Sequence, residues 1–142
     1  PHNLGSILRT ADCTGVHGVI VPKRRSAQVT ATVSKTSAGA AEYVPVARVT
    51  NLGQTIEELK ERGIWVVGTD VSASSEMYDT NVFDGPVAVV IGNEGKGMGR
   101  LIREKCDVLV KLPMKGQINS LNASVAAGVV MYEVLRRRRS QG

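Results

Sequence analysis

Apolar residues recur at the spacing of a buried helix face near the start of the chain. The face is formed by four residues that lie three or four positions apart: Leu4, Ile7, Leu8 and Ala11. We expect Asn3 to cap this helix and Gly15 to end it. A second helix is predicted within 51–63, before Gly63, on the same spacing of Leu52, Ile56 and Leu59.

A long helix is predicted to close the chain, from about residue 121 to 138. Its apolar residues at helical spacing form a stripe that we expect to be buried: Leu121, Val125, Gly128, Val129, Tyr132 and Leu135. A short helix is predicted at 101–105. The weakly patterned, Ser/Thr/Ala-rich segment 27–41 is predicted to be helical in part.

Apolar runs between the helices predict five strands. They lie at 19–21 and 44–49 and in the runs "IWVVGTD" (64–70), "PVAVVIG" (86–92) and "DVLVKLP" (107–113). The run 86–92 is typical of a strand covered on both faces, whereas 72–85 is polar and irregular. Because strands alternate with helices and hairpin signals are missing, we predict one α/β domain, a mostly parallel sheet with helices on both faces.

Ligands of open parallel sheets bind outside the carboxyl ends of the strands. Three loops take that position in the predicted order of elements. They are the loop after Thr69, the glycine-rich loop that starts at Gly92, and the loop "PMKGQINSLN" (113–122). These loops are the candidate ligand-binding segments.

The glycine-rich stretch "IGNEGKGMGR" (91–100) does not have the spacing of a nucleotide-phosphate loop. Its Gly-Lys pair is followed by Gly97 instead of the magnesium-binding hydroxyl, and Arg100 stands where a dinucleotide fingerprint needs glycine. Glu94 would also repel phosphate. A nucleotide-hydrolysing protein is therefore disfavoured.

Composition narrows the class of protein further. The 142 residues suffice for one ordinary domain, and no apolar run approaches the roughly 20 residues of a membrane span. A net charge of +5 favours a polyanionic partner, with RNA or DNA ahead of an acidic membrane. No metal site is expected, because the cysteines lack ligand spacing and no partner is evident for either histidine.

Several polar residues could build a site, but each also has a plainer explanation. The loop 113–122 ends in three of them next to a helix start, where one alone suffices as a cap: Asn119, Ser120 and Asn122. Asn3 and Arg9 can both reach a cleft at the amino end of the first helix, yet taken alone they are better explained as a helix cap and a solvated cation. Glu94 has little packing value, and an exposed turn residue is its alternative.

Three motifs, in order along the chain, resemble those of the SpoU branch of the SPOUT RNA methyltransferases. They are "PHNLGSILRTA" (1–11), "VIGNEGKGMGRLIREKCD" (90–107) and "LPMKGQINSLNASVAAGVVMYE" (112–133). The resemblance implies S-adenosylmethionine as methyl donor, a homodimer, and a carboxyl-terminal trefoil knot that holds the cofactor. Residues 1–142 would be the catalytic domain, without the amino-terminal RNA-binding domain that family members often carry.

Carried over by position, the resemblance implies two sets of site residues. The catalytic set is Asn3, Arg9, Glu94, Ser120 and Asn122. The cofactor set is Gly92, Leu112 and Leu121, to which two more are added on position alone: Thr69 and Met114. This agrees with the cofactor's chemistry, because adenine and a sulfonium favour backbone amides and apolar walls, whereas a diphosphate would favour cations.

The implied reaction is the attack of a ribose 2'-hydroxyl on the methyl carbon, so the main task is to hold donor and acceptor in line. Arg9 is a poor general base, since a guanidinium is effectively never deprotonated in proteins. We expect Arg9 to clamp a neighbouring phosphate and stabilise the developing alkoxide. A phosphate oxygen, Glu94 or water would take the proton.

Ribosomal RNA, with a guanosine of 23S RNA foremost, is the expected substrate, and transfer RNA is the alternative. A non-catalytic RNA-binding module of the same fold is the alternative in another class, against which the joint presence of the catalytic set speaks. The basic runs 23–25 and 136–139 are candidates for RNA phosphates, although cations at a helix carboxyl end are usually just solvated. We expect a cytoplasmic location, without a membrane or DNA partner.

Overall fold

The computed structural model describes residues 2–23, 37–92 and 98–141. Within these ranges the helices are α1 (His2–Thr14), α2 (Leu52–Glu61), α3 (Arg100–Lys105) and α4 (Ala123–Gln141). The strands are β1 (Val19–Pro22), β2 (Val46–Val49), β3 (Trp65–Thr69), β4 (Ser75–Glu76), β5 (Val87–Val90) and β6 (Val108–Lys111). The predicted helices and long strands of these ranges are confirmed.

All strand pairs of the described chain are parallel, as predicted. One sheet has the order β4-β6-β3-β5, and β1 pairs with β2 in a second. The register sets Gly68 beside Val90 and Thr69 beside Val110, so β3, β5 and β6 end at the same edge of the sheet. β5 is an edge strand of this sheet, and its four residues, which alternate between the two faces, are all partly buried.

Both faces of β3 are covered, which confirms helices on both sides of the sheet. Val67 packs with Val110 of β6 and Val130 of α4 in a core where all three are fully buried. Val66 points to the opposite face, since successive strand residues alternate, and it is also fully buried. The helix α2 contacts β3 and buries Ile56.

Gly68 of β3 lies where no side chain fits. A Cβ atom there would be 2.7 Å from Cε of Met98 and 2.9 Å from both Sγ of Cys106 and Cδ2 of Leu109. These three side chains belong to the segment that runs through α3 into β6. The absence of a side chain at Gly68 therefore lets this segment pack directly on the middle of the sheet.

The buried stripe predicted for the last helix was wrong for Leu121, Val125 and Tyr132, which are exposed, whereas Val129 packs against the sheet core. Ala127, Val130 and Glu133 are the buried residues of α4. Nearly every residue of this helix before Leu135 is apolar or small, so the pattern does not decide which face is inside. The choice is made by packing, because α4 contacts both α1 and the sheet core around Val130.

Three further expectations need correction or lie outside the described ranges. Asn3 lies inside α1, which begins at His2, and so it does not cap this helix.

The segment 72–85 is not merely irregular, since it contains β4, two short 3-10 helices and the fully buried side chains of Met77 and Phe83. Most of the segment 27–41 falls outside the described residues. The trefoil knot stays a prediction, because strand order alone does not define it.

Candidate functional site

The carboxyl ends of β3, β5 and β6 and the start of α4 surround a cavity of about 150 Å³. The ends of the strands contribute Thr69, Asp70, Val71, Ile91, Gly92, Leu112 and Met114. The loop before α4 and its first turn contribute Asn119, Ser120, Leu121, Ala123 and Ala126. The three loops that follow the predicted strands therefore meet at one site.

All five residues of the predicted cofactor set line this cavity: Thr69, Gly92, Leu112, Met114 and Leu121. Ser120, from the predicted catalytic set, lines it as well. These residues lie up to 52 positions apart along the chain. The structure therefore brings together residues that the sequence related only through a resemblance and through their place after strands.

The lining has a definite chemical character. Apolar side chains form much of the wall, and the polar groups are short: Thr69, Asn119 and Ser120. Among the described lining residues there is one carboxylate, Asp70, and no lysine or arginine. This donor set does not suit a diphosphate, but it suits a neutral base with a positively charged group beside it.

The volume limits what the cavity can enclose. Sites that bury a whole drug-sized ligand measure roughly 300–1,000 Å³. At about 150 Å³, this cavity holds only part of a ligand the size of a nucleoside cofactor. The rest of such a ligand would extend along the open side of the site.

Two hydrogen bonds fix the end of β3 at the cavity. The Thr69 hydroxyl donates to the carbonyl oxygen of Val90 over 3.1 Å, and the backbone N–H of Asp70 donates to the carbonyl oxygen of Val110 over 2.9 Å. The first bond joins β3 to β5 and the second joins it to β6. Each strand end in the lining is thereby tied to a neighbour.

Asp70 is a lining residue that the sequence motifs did not indicate. Its Oδ2 accepts a hydrogen bond from Nη1 of Arg103 over 3.1 Å, and its Oδ1 accepts one from the backbone N–H of Ser72 over 3.2 Å. Partial burial raises the pKa of Asp70, but the hydrogen bonds from Ser72 and Arg103 and the charge of Arg103 outweigh it, so the pKa lies below its usual value. The available signal was its place directly after a buried strand.

Asn122 caps the last helix. Its Oδ1 accepts hydrogen bonds from the backbone N–H of Ser124 over 2.9 Å and of Val125 over 3.3 Å, and from the Ser124 hydroxyl over 2.5 Å. Asn122 is exposed and is not among the residues that line the cavity. In this structure it holds the start of α4, whose residues Ala123 and Ala126 do line it.

The other predicted catalytic residues are not brought into the cavity lining. Asn3 and Arg9 are exposed on α1, and Glu94 lies outside the described residues. A Cβ atom on Gly128 would lie 3.8 Å from Cγ2 of Thr10, so α1 meets α4 within one turn of Ala126. Arg9 is therefore on a helix that runs beside the site without forming its wall.

The basic run 136–139 is largely engaged within the chain. The buried carboxylate of Glu133 accepts hydrogen bonds from Arg136 and Arg137, and Arg138 donates to the carbonyl oxygen of Gly85 over 2.7 Å. Arg137 also donates to three backbone carbonyls of the segment 77–80. Arg137, whose side chain is 13% exposed, is taken up by the fold, whereas the Arg136 side chain is 64% exposed although it pairs with Glu133. Of the run 23–25, only Lys23 lies within the described ranges.

Membrane spans and metal clusters are both missing from the described part of the chain. No helix there is both long and apolar enough to cross a membrane. No cluster of three or more His, Cys, Asp or Glu side chains in the same ranges could hold a metal ion.

The parallel sheet and the cavity at its strand ends define an α/β ligand-binding domain. The chain belongs to the SpoU rRNA methylase family, whose model matches residues 1–132. YacO of Bacillus subtilis strain 168, whose name assigns it to the TrmH family of tRNA/rRNA methyltransferases, is 63% identical over 144 residues. The alignment covers 100% of this chain but 57% of YacO, so the chain spans little more than half of that relative's length.

Solved structures agree with this family. The SpoU methyltransferase AviRb from Streptomyces viridochromogenes, in complex with AdoMet, superposes with a TM-score of 0.91 at 35% identity, over 99% of this chain and 57% of AviRb. An RNA 2'-O ribose methyltransferase superposes with a TM-score of 0.86 at 30% identity, over 98% of this chain and 53% of that one. The similarity covers nearly every residue of the present fold.

Proposed function

We propose that this chain is the catalytic domain of an RNA methyltransferase that uses S-adenosylmethionine to methylate a ribose 2'-oxygen. The observation that carries the proposal is the convergence of the cofactor set and Ser120 on one cavity without cations among its described lining residues. The similarity to an AdoMet-bound SpoU methyltransferase supports the choice of cofactor. The similarity to an RNA 2'-O ribose methyltransferase supports the choice of acceptor atom.

We propose ribosomal RNA in the cytoplasm as the substrate, with a guanosine of 23S RNA as the target. The support is the resemblance of the three motifs to the 23S RNA guanosine 2'-O-methyltransferase RlmB. Transfer RNA is the second candidate, because the name of the Bacillus subtilis relative covers both kinds of RNA. The net charge of +5 suits either polyanion.

Different lining residues would contact different parts of the cofactor. When bound, S-adenosylmethionine supplies a methyl group on a positively charged sulfur. Leu112 and Leu121 would provide the apolar wall for the adenine, and Gly92 would let the backbone approach the ligand closely. Ser120, with its short hydroxyl in the lining, would orient the reacting groups.

Residues outside the cavity would handle the RNA. Arg9 and Asn3 are exposed on α1 beside the site, and Arg9 would clamp the phosphate next to the target ribose and stabilise the developing alkoxide. The role of Glu94, as one of the groups that could take the proton, rests on the resemblance alone. Asn122 would act through the helix start that it caps.

We also propose a homodimer formed through α4. Val125 and Tyr132 are 51% and 52% exposed, although they are apolar or aromatic and lie seven positions apart on one face of α4. A groove of about 390 Å³ continues this face and is lined by Tyr132, Leu135, Arg136 and Arg139. A second copy of the chain would cover these apolar side chains, which face solvent in the single chain.

Calorimetric titration with S-adenosylmethionine and with ATP tests the proposal, followed by methyl transfer to unmodified ribosomal and transfer RNA. We expect binding of the methyl donor and a product nucleoside methylated on the ribose. Ala126→Leu should fill the cavity and weaken binding, whereas Ala47→Leu, on the exposed side of β2, should not. Tight ATP binding without response to the methyl donor would overturn the proposal, and donor binding without methyl transfer would favour the RNA-binding module.

A further inference from the structure

Asp70 has capacity for ligand hydrogen bonds that its protein partners do not use. Its side chain is 11% exposed and belongs to the cavity lining. Oδ1 accepts a hydrogen bond from the backbone N–H of Ser72, Oδ2 accepts one from Arg103, and the Ser72 side chain also hydrogen-bonds to the carboxylate. An ionised carboxylate has about four acceptor positions. About one acceptor position therefore remains for a ligand in the cavity.

The position of Asp70 suits a ribose. In dinucleotide-binding α/β domains, an acidic side chain at the ligand crevice hydrogen-bonds a hydroxyl of the ribose. Asp70 directly follows β3, next to Thr69, on the edge of the sheet where the cavity lies. The apolar part of the lining offers the wall against which the attached base would rest.

The ion pair with Arg103 makes Asp70 better suited to bind a neutral hydroxyl group than a charged ammonium group. Arg103 is ion-paired with Asp70 over 3.1 Å, so the pair attracts an ammonium group less than a lone carboxylate would. It leaves the remaining acceptor position of the carboxylate available to a neutral hydroxyl donor. Arg103 lies on α3 and also fixes the orientation of the carboxylate, which reduces the entropy lost when a ligand binds.

We propose that Asp70 accepts a hydrogen bond from a ribose hydroxyl of the adenosyl group that binds in this cavity. This inference rests on the proposed function, since it assigns a residue to part of the same ligand. Asp70 is a binding residue in this role, and Arg103 is the residue that positions it.

The test compares S-adenosylhomocysteine with its 2',3'-dideoxy analogue by calorimetry on three proteins: the unchanged chain, Asp70→Asn and Arg103→Gln. Removal of the hydroxyls should weaken binding to the unchanged chain by about ten- to a hundredfold, as expected for hydrogen bonds to a charged acceptor. The ratio of the two dissociation constants, dideoxy analogue over S-adenosylhomocysteine, should fall to less than about fivefold in Asp70→Asn, because an amide lacks the charge that strengthens the hydrogen bond. Arg103→Gln breaks the same ion pair but keeps the carboxylate, so the ratio should largely persist.

The outcomes separate the two proposals. If Asp70→Asn weakens both ligands equally and keeps the ratio, Asp70 has only a structural role and the inference is wrong while the proposed function stands. The inference is also wrong if the ratio of dissociation constants falls equally in Asp70→Asn and Arg103→Gln, because the preference for the hydroxyls would then depend on the ion pair and not on the carboxylate. If the unchanged chain binds neither S-adenosylmethionine nor S-adenosylhomocysteine, the proposed function and the inference fail together.

Discussion

The buried carboxylate of Glu133 accepts a hydrogen bond of 2.9 Å from Nε of Arg137, and the two residues together lock the last helix to the segment before β5. The side chains are 4% and 13% exposed. Arg137 reaches on to the backbone carbonyls of Met77, Tyr78 and Thr80. A residue that the sequence presents as part of a basic tail therefore has a structural role inside the fold.

Arg137→Met should lower the free energy of unfolding by about 2 to 4 kcal/mol, because it leaves a buried carboxylate and several carbonyl groups with fewer donors. Denaturant unfolding followed by circular dichroism measures the change. Arg100→Met is the matched control, since it removes an ion pair with Glu104 whose side chains are 82% and 58% exposed, and it should cost less than about 1 kcal/mol. Equal losses in the two variants would contradict this role for Arg137.

Stability should also fall in acid because of Glu133. The hydrogen bond from Arg136 is the largest effect on its pKa, and with Arg137 it outweighs burial, so the pKa lies below the ordinary value of 4.5. A carboxyl group with a lowered pKa in the folded state contributes stability above pH 4.5 and loses it as the pH falls through the lower value. Unfolding curves between about pH 6 and the acid range should therefore be less pH-dependent in Glu133→Gln than in the unchanged chain.

Gly68→Ala should destabilise the fold by about 1 to 3 kcal/mol, because a Cβ atom would lie 2.7–2.9 Å from three side chains, which would have to shift. Thermal unfolding measures the loss. Gly85→Ala is the control, since nothing lies within 4 Å of its added Cβ atom. Because Gly68 is next to Thr69, Gly68→Ala should also weaken cofactor binding. A variant as stable as the control would show that the contacts with Met98 and Cys106 relax easily.

Asn122→Ala should cost about 0.5 to 2 kcal/mol, the usual effect of losing a helix cap. Asn51→Ala is a matched control, because Asn51 caps α2 through a hydrogen bond of 3.1 Å from the backbone N–H of Gln54. We expect similar losses of stability from both variants but slower methyl transfer only from Asn122→Ala. Unchanged methyl transfer in a folded Asn122→Ala protein would remove Asn122 from the site.

Tyr132→Asp should separate the proposed dimer, since it places a charge in the middle of the apolar face of α4. We expect the dimer dissociation constant to rise by at least about thirtyfold, as for a central aromatic residue of an interface. Sedimentation equilibrium measures it. Tyr43→Asp is the control, because Tyr43 is 74% exposed and lies outside α4. An unchanged chain that sediments as a monomer would refute the dimer itself.

Arg9→Lys should leave the affinity for S-adenosylmethionine unchanged and slow methyl transfer by about a hundredfold, because lysine keeps the charge but loses the fork that binds two phosphate oxygens. Single-turnover methyl transfer with unmodified RNA measures the rate. Arg62→Lys, on the exposed end of α2, is the control. Activity close to that of the unchanged chain would exclude the bidentate contact.

The alternation of helices and strands was readable from the sequence because each element carries its own local signal. The three loops of the site followed from that order, since the carboxyl ends of parallel strands share one edge of a sheet. The face of α4 was not readable in the same way. Its residues are apolar on several sides, and only the positions of α1 and the sheet core select Ala127 and Val130 for burial.

Local patterns thus determined which segments of this protein are helices and strands, and the motifs determined its family. The tertiary structure decided which side chains meet. Asp70 and Arg103 are 33 residues apart along the chain, and no pattern in the sequence encodes the distance between them in the fold. The physical reason is that pairing and burial depend on the relative placement of whole elements, which arises only when they pack together.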